Sequence, residues 1–287
     1  MRSTKYIALL GLVLFFAACK EDNPGVILEK PLVNFSDTTY TATPETPQTK
    51  SVLLEDFTGV RCANCPKGHH AIEKIRTKFP GKVSALSIHG QDFFQFTTPY
   101  AGFEDFRGPY GEQIFQIIGK PGGLPFGAVD RVYKSSTADN WETLVSNRFS
   151  APSKVNLYIE KQFDDASRTL TVKVKAAFTD SLGTPPFFSV AITESGIISL
   201  QKDEDIANDP VKQGLDTNYV HNHLLRLMPA FKQNLLPQSI TLPEAGRVVE
   251  KTFSLVLNKD WNAEKCDIVF YVHRDIEILN VVEAKLK

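Results

Sequence analysis

Residues 51–66 read SVLLEDFTGVRCANCP and contain, in order, a mainly apolar run, a short loop, two cysteines and a proline. The run 51–57 is typical of a buried strand, and Pro66 suits the first turn of a helix. A thiol at a helix N-terminus meets free backbone N–H groups that favour the thiolate, the nucleophile of disulfide exchange. The sequence therefore predicts a reactive pair, with Cys62 as the exposed nucleophile and Cys65 as its buried partner.

The same segment resembles the thioredoxin superfamily, in which a buried Asp precedes the first cysteine by the distance that separates Asp56 from Cys62. The resemblance implies that Cys62 attacks, that Cys65 resolves the mixed disulfide and that Asp56 is the buried acid assisting proton transfer. Arg61 replaces the superfamily's Trp, and Ala63-Asn64 replaces Gly-Pro. These departures leave the redox potential and the partner open.

A second landmark is the run Leu124-Pro125-Phe126-Gly127-Ala128-Val129. Thioredoxin-like proteins place a cis-proline beside the dithiol just before a strand, and the resemblance assigns that role to Pro125. The alternative is an ordinary turn of Pro and Gly before a strand. The long separation from Cys62 predicts an insertion, which the aromatic-rich residues 93–110 would supply.

The first 18 residues predict a lipoprotein signal peptide. Two basic residues precede the apolar run 7–18, which is too short to span a bilayer. Phe16-Ala17-Ala18-Cys19 resembles a bacterial lipobox, which implies that Cys19 is lipidated. The alternative is a plain secretory signal whose cleavage site adjoins a cysteine. The acidic residues after Cys19 resemble a surface-export tag, so we expect an outer-membrane, lipid-anchored protein, with cell-surface exposure as one option.

The remaining chain predicts a tether and two domains. Residues 19–50 are expected to form the lipid tether and linker, because 38–50 consists mainly of Thr, Pro, Glu and Gln. Residues 51–150 predict an α/β thioredoxin-like domain with helices at 66–78 and 141–149. A further helix within 104–118 is broken or delayed by Gly108-Pro109.

Residues 151–287 predict an all-β sandwich, plausibly immunoglobulin-like, because apolar and polar residues alternate in several separate runs. Leu170, Val172 and Val174 belong to one of these runs. Cys266 begins another and is expected to be a buried free thiol. The net charge of −1 gives no reason to expect nucleic acid as a partner.

The histidines raise the question of a metal site, and we expect none. His69 and His70 are adjacent on a helix and diverge by about 100°, so we predict a solvent-facing pair. His221 and His223 would share one face of a strand, but no third ligand lies near them in the sequence. A polar cluster that binds Arg226 or a partner is the favoured interpretation there. No cofactor is expected.

Four features in order resemble the Omp28-related lipoproteins of the Bacteroidota: the lipobox, the T-G-x-x-C-x-x-C-P run, residues 124–131, and residues 220–226. The resemblance implies a thioredoxin-like domain followed by a β-sandwich. Two functions stay open. The first is a thiol–disulfide oxidoreductase acting on protein thiols or disulfides, and the second is a surface binding or adhesion module in which the C-x-x-C is a structural disulfide.

Overall fold

The computed structural model describes residues 34–287, which contain fifteen β-strands and four α-helices. The strands are β1 (Asn34–Thr41), β2 (Val52–Phe57), β3 (Val83–Gly90), β4 (Arg107–Gly108), β5 (Phe126–Val129), β6 (Tyr133–Ser135), β7 (Val155–Asp164), β8 (Thr169–Phe178), β9 (Phe187–Glu194), β10 (Ile197–Lys202), β11 (Leu215–His221), β12 (Leu224–Asn234), β13 (Arg247–Val256), β14 (Cys266–Arg274) and β15 (Glu277–Lys285). The helices are α1 (Cys65–Lys78), α2 (Phe94–Thr97), α3 (Tyr110–Ile118) and α4 (Trp141–Arg148).

A mixed sheet forms the centre of the described chain, with strand order β15-β14-β9-β12-β3-β2-β5-β6 and the short β4 beside β3. Strand β3 is parallel to β2 on one side and to β12 on the other. Strands β5 and β6 add antiparallel pairs beyond β2. The strands on both sides of β3 therefore belong to one continuous sheet.

Strand β2 is buried on both faces, so its apolar residues pack on both sides of the sheet and its two acidic residues, Glu55 and Asp56, are buried with them. Val52 and Leu54 pack with α1 and α4, whereas Leu53 and Phe57 pack with α3 on the opposite face. Helix α4 lies close to the sheet because Gly127 has no side chain; a Cβ there would be 2.3 Å from Cε2 of Trp141.

A second sheet of antiparallel strands has the order β1-β13-β8-β7. Its apolar face shares a core with the face of β9, β12, β14 and β15. Val172, Phe253, Phe188 and Phe270 are fully buried members of that core. The alternating runs beyond residue 151 thus form half-buried strands facing each other across a sandwich.

The strands on either side of residue 150 belong to one sheet. Leu224 of β12 lies opposite Ser87 of β3, and Leu225 and Tyr271 share a core with Leu53. Residues 34–287 accordingly contain one compact body with an α/β part and a sandwich part. The boundary placed at residue 150 stays a prediction about the modules from which that body is built.

One local expectation needs correction and another is confirmed. Residues 38–41, expected to be linker, belong to β1 and pair with β13, because backbone hydrogen bonds can hold a largely polar strand at a sheet edge. The delay expected from Gly108-Pro109 is confirmed, because the helix within 104–118 begins only at Tyr110, directly after Pro109, and Arg107–Gly108 forms the short strand β4. Helices α1 and α4 lie where the sequence predicted them.

Candidate functional site

Cys62 and Cys65 form a disulfide at the start of α1, with their Cα atoms 5.3 Å apart. Cys65 is the first residue of the helix and Pro66 the second, so the missing N–H of proline falls where no helical acceptor exists. The backbone N–H of Cys65 donates to the carbonyl of Cys62. The predicted strand–loop–C-x-x-C–helix order is therefore present.

The expected exposure of Cys62 is wrong: its exposed fraction is 3%, and that of Cys65 is 0%. The hairpin formed by β10 and β11 covers the C-x-x-C loop. Backbone N–H groups of Lys202 and Glu204 donate to the carbonyls of Val60 and Ala63, at 2.8 and 2.9 Å. This hairpin lies more than 130 residues away in sequence, so no local pattern around Cys62 could have indicated it.

Gln201 makes the most direct contact between the hairpin and the C-x-x-C loop. Its Nε2 donates to the carbonyls of Gly59 and Cys62, at 3.2 and 3.1 Å. The register between β10 and β11 shifts between Ser199 and Gln201.

Asp56 lies beneath α1 and is completely buried. Neither of its carboxylate oxygens has a hydrogen-bond partner. Gly68 faces it from the helix, since a Cβ at Gly68 would lie 3.4 Å from Oδ1. Burial raises the pKa of Asp56 well above its usual range, because the charged form loses its hydration.

His69 points into the protein next to Asp56, which corrects the prediction of a solvent-facing pair. Its Nε2 is 2.8 Å from Oγ1 of Thr58 and 3.7 Å from Oδ2 of Asp56, and its Nδ1 is 2.7 Å from the hydroxyl of Tyr219. His70 alone is exposed. The signal was available, because His69 follows Cys65 by four residues and so lies on the same helix face. Burial and then the neighbouring histidines lower the pKa of His69 to about 3.

The two histidines near residue 222 do not share a face. His221 ends β11 and is buried with its ring 5.0 Å from that of Phe106, whereas His223 has a positive φ of 57° and lies 3.4 Å from Glu73. Arg226 instead pairs with Glu194 and with Glu104. Burial lowers the pKa of His221 to about 4. Within residues 34–287, no three His, Cys, Asp or Glu side chains are grouped as metal ligands.

A cleft of about 220 Å³ opens beside α1. Its polar lining consists mainly of His69, His70, Glu73, Tyr219 and His223. His69 is thus the side chain that lies between the buried carboxyl of Asp56 and this cleft. The cleft lies along α1, the helix that begins at Cys65, on the side that faces the end of the hairpin.

The Leu124–Pro125 peptide bond is cis. Phe126, the next residue, pairs with Phe57 at the end of β2, so Pro125 lies at the sheet edge from which the cysteine loop leaves. Arg61 fixes that loop on its other side. Its guanidinium donates to the carbonyls of Thr98 and Pro99 and stacks 4.0 Å above the ring of Tyr100.

Sequence reasoning missed a buried ion pair beneath the site. Arg131 donates to both carboxylate oxygens of Glu55 and to the hydroxyl of Tyr271, and the side chains of both ion-pair members are fully buried. Its neighbour Asp130 pairs with Lys50 and Arg148. Asp130 and Arg131 end the run 124–131. Their buried ion pairs account for two charged residues after the four buried residues of β5.

Cys266 is free and buried on β14, as expected, and burial raises its pKa to about 12. Cys19 and the signal peptide lie outside the described residues. No helix within residues 34–287 is long and apolar enough to cross a membrane.

The fold and the site define a class of protein in which an α/β layer carries a C-x-x-C disulfide at the start of its first long helix and continues, through one sheet, into a β-sandwich. Within that class the chain belongs to the Omp28 family, because the family model for outer membrane protein Omp28 matches residues 114–287, more than half of the chain. The matched region begins after the two cysteines. The family is one of outer membrane proteins.

One of two solved structures compared with this chain shows a similar fold. HBP35 of Porphyromonas gingivalis has a TM-score of 0.61 at 16% identity, over 86% of this chain and 77% of that one. A structural-genomics target from Agrobacterium tumefaciens has a TM-score of 0.49 at 13% identity, over 84% of this chain and 97% of that one. No match was found among curated proteins.

Proposed function

We propose that the chain is an outer-membrane lipoprotein whose thioredoxin-like part exchanges thiols and disulfides through Cys62 and Cys65. The order β3-β2-β5-β6, with α1 and α4 on one face and α3 on the other, supports a thioredoxin-like assignment. The cis bond before Pro125 at the same sheet edge supports it as well. The two facing sheets beyond residue 151 support an immunoglobulin-like sandwich.

The observation that carries the proposal is Asp56. A carboxylate buried without any hydrogen-bond partner is costly, and burial therefore makes Asp56 a stronger base than an exposed carboxylate. A disulfide that served only as a staple would gain nothing from such a group. A proton-exchanging carboxyl under the first turn of α1 is useful where a thiol must lose its proton, and perturbed groups of this kind cluster at functional sites.

In the proposed cycle the Cys62 thiolate attacks a partner disulfide, one partner sulfur leaves as a thiolate, and a mixed disulfide forms. Cys65 then gives its proton to Asp56, and its sulfur bonds to that of Cys62. The bond between Cys62 and the partner breaks, and the second partner sulfur leaves with the electron pair. The partner is reduced by two electrons and the cysteine pair is oxidised to the disulfide of this structure.

One observation favours the alternative of a surface binding module. Cys62 has an exposed fraction of only 3% under the hairpin, which is low for a nucleophile that must reach a protein partner. In that case the disulfide is structural and the sandwich carries the function. The two proposals differ in the stability of the disulfide, because structural disulfides in secreted proteins have potentials below about −300 mV.

The test combines the reduction potential of the cysteine pair with disulfide-exchange rates for the parent, Asp56→Asn and the exposed control Asp105→Asn. We expect a potential above about −300 mV, measurable exchange in the parent and the control, and slower exchange in Asp56→Asn. Absence of exchange with both small disulfides and small dithiols, together with a lower potential, would contradict the oxidoreductase proposal and favour the binding module.

The anchor is a separate part of the proposal. Lipid on Cys19 would hold the protein at the outer membrane, and the acidic residues that follow support exposure at the cell surface. Cys19→Ser should yield an exported protein that leaves the detergent phase, whereas Cys266→Ser, a change at the buried thiol, should not. A Cys19→Ser protein that still partitions with membrane lipoproteins would contradict lipidation.

A further inference from the structure

The buried carboxyl of Asp56 has one titratable side chain beside it. Nε2 of His69 lies 3.7 Å from Oδ2 of Asp56, and the same nitrogen is 2.8 Å from Oγ1 of Thr58. The other ring nitrogen, Nδ1, is 2.7 Å from the hydroxyl of Tyr219. The imidazole is therefore held at both ends, with one nitrogen toward the sheet and the other toward the hairpin.

The hairpin side of this ring is where protons can reach solvent. His69 and Tyr219 both line the cleft of about 220 Å³ beside α1, and His70 and Glu73 line it further along the helix. Asp56 does not line it. A proton that arrives at Asp56 has no hydrogen-bonded exit of its own, because neither carboxylate oxygen has a partner.

We propose that His69 carries the proton of Asp56 to and from the cleft, and that Tyr219 of the hairpin holds the imidazole in the orientation this transfer needs. The inference rests on the proposed redox function. His69 acts through Asp56 and does not touch the sulfurs in the cycle, so it is a positioning and proton-transfer residue.

The proton balance uses the tautomer in which Nδ1 of His69 carries the hydrogen. After Cys65 has protonated Asp56, Nε2 of His69 exchanges its hydrogen bond from the Thr58 hydroxyl for the proton of the carboxyl, 3.7 Å away. The Nδ1 proton leaves through the Tyr219 hydroxyl to water in the cleft, which leaves a neutral ring with its hydrogen on Nε2. The reverse transfers restore the first tautomer when the disulfide is reduced again. One proton enters the chain of groups and one leaves, while the electrons move only between the sulfurs.

Burial keeps the His69 ring neutral between transfers. Facing it are Asp56 from β2, Thr58 just after β2, His70 and Glu73 from α1, and Tyr219, His221 and His223 from the hairpin and the residues after it. Burial and the three other histidines lower its pKa to about 3, against the opposing effect of Glu73. At neutral pH the ring is therefore neutral before and after each transfer.

The experiment follows the reduced, full-length lipoprotein in detergent as it reacts with the chromogenic disulfide dithionitrobenzoate. One thionitrobenzoate is released when Cys62 attacks and a second when Cys65 resolves the mixed disulfide. His69→Ala should slow the second release about 10- to 100-fold and leave the first unchanged. Lys74→Ala, an exposed change on the same helix away from the cleft, should change neither.

Three further readouts separate proton transfer from a structural role. Added imidazole should restore the second release in His69→Ala and should have no effect on the parent. Asp56→Asn combined with His69→Ala should be no slower than Asp56→Asn alone, because both residues act in one path. His69→Gln keeps hydrogen-bonding atoms but cannot accept or release a proton, so it should be as slow as His69→Ala. It replaces His69→Ala in the experiment if that variant does not fold.

Equal second-release rates in the parent and in folded His69→Ala or His69→Gln would overturn the proposal, as would additive slowing in the double variant. These results are distinct from failure of the proposed function, in which the parent itself releases no thionitrobenzoate from Cys62 or Cys65.

Discussion

Asp56 links the stability of the protein to pH in an unusual direction. Because burial raises its pKa in the folded state, the folded protein holds this proton more tightly than the unfolded chain does. Stability is therefore lost as pH rises from about 3.9, the unfolded value, through the folded pKa. Most carboxyls in ion pairs have the opposite effect, since pairing lowers their pKa.

Asp56→Asn should remove this dependence. As pH rises through that window, the variant's free energy of unfolding should increase relative to the parent's by up to about 1.4 kcal/mol per pH unit. Urea unfolding of both proteins at pH 4, 6 and 8 measures the difference between them. A difference that does not change with pH would show that Asp56 titrates normally in the folded protein.

The free energy of unfolding also depends on the buried ion pair of Glu55 and Arg131. Arg131→Met leaves a buried carboxylate without its counter-ion and should cost about 3–5 kcal/mol of unfolding free energy. Arg107→Met is the matched control, because Arg107 and Asp105 are partly exposed and their pair is worth at most about 1 kcal/mol. Adding Glu55→Leu to Arg131→Met should recover most of the loss in denaturant unfolding; a double variant no more stable than the single one would contradict this.

At the scale of elements, the hairpin of β10 and β11 controls access to the disulfide. Gln201→Ala removes the donor to the carbonyls of Gly59 and Cys62, a change of about 1–3 kcal/mol. If that weakens closure by about 1.4 kcal/mol, the open form becomes about ten times more populated. We expect reduction of the disulfide by a small phosphine to accelerate accordingly.

Gln233→Ala, an exposed change of the same kind on β12, is the control for this experiment and should leave the reduction rate unchanged. The melting temperatures should remain close, because the hairpin lies outside both large sheets. Equal reduction rates in Gln201→Ala and the parent would mean that the phosphine reaches the sulfurs without displacement of the hairpin.

The elements differ in how far sequence alone could predict them. Strand β2 and helices α1 and α4 were accessible because apolar runs, Pro66 and the spacing of buried residues are local signals. Most of strand β1 was not, since residues 36–41 are mainly polar and only pairing with β13 makes them a strand. The burial of Cys62 was likewise hidden, because the covering hairpin comes from distant sequence. For the site, the roles of Cys62, Cys65 and Pro125 stay predictions.

At the scale of the whole molecule, one sheet runs through both parts of the chain. Leu225, Met228 and Tyr271 pack into the core that also holds Leu53 and Phe57. A fragment of residues 51–150 would expose that apolar face together with the edge of β3. We expect residues 34–287 to unfold in a single calorimetric transition and the fragment to remain unfolded or aggregated. Two resolved transitions, or a stable monomeric fragment, would contradict this.

Strand β1 also constrains the order of events while the chain is being made. Asn34 lies opposite Ser254, so β1 is synthesised early and can pair only after more than 200 further residues have followed. At typical synthesis rates that wait lasts about 10–40 s. A strand in which six of the eight residues are Asn, Ser, Asp or Thr can remain unpaired for that time without attracting other chains, whereas an apolar edge strand could not. The polar composition that conceals this strand in the sequence is therefore what makes its late incorporation safe.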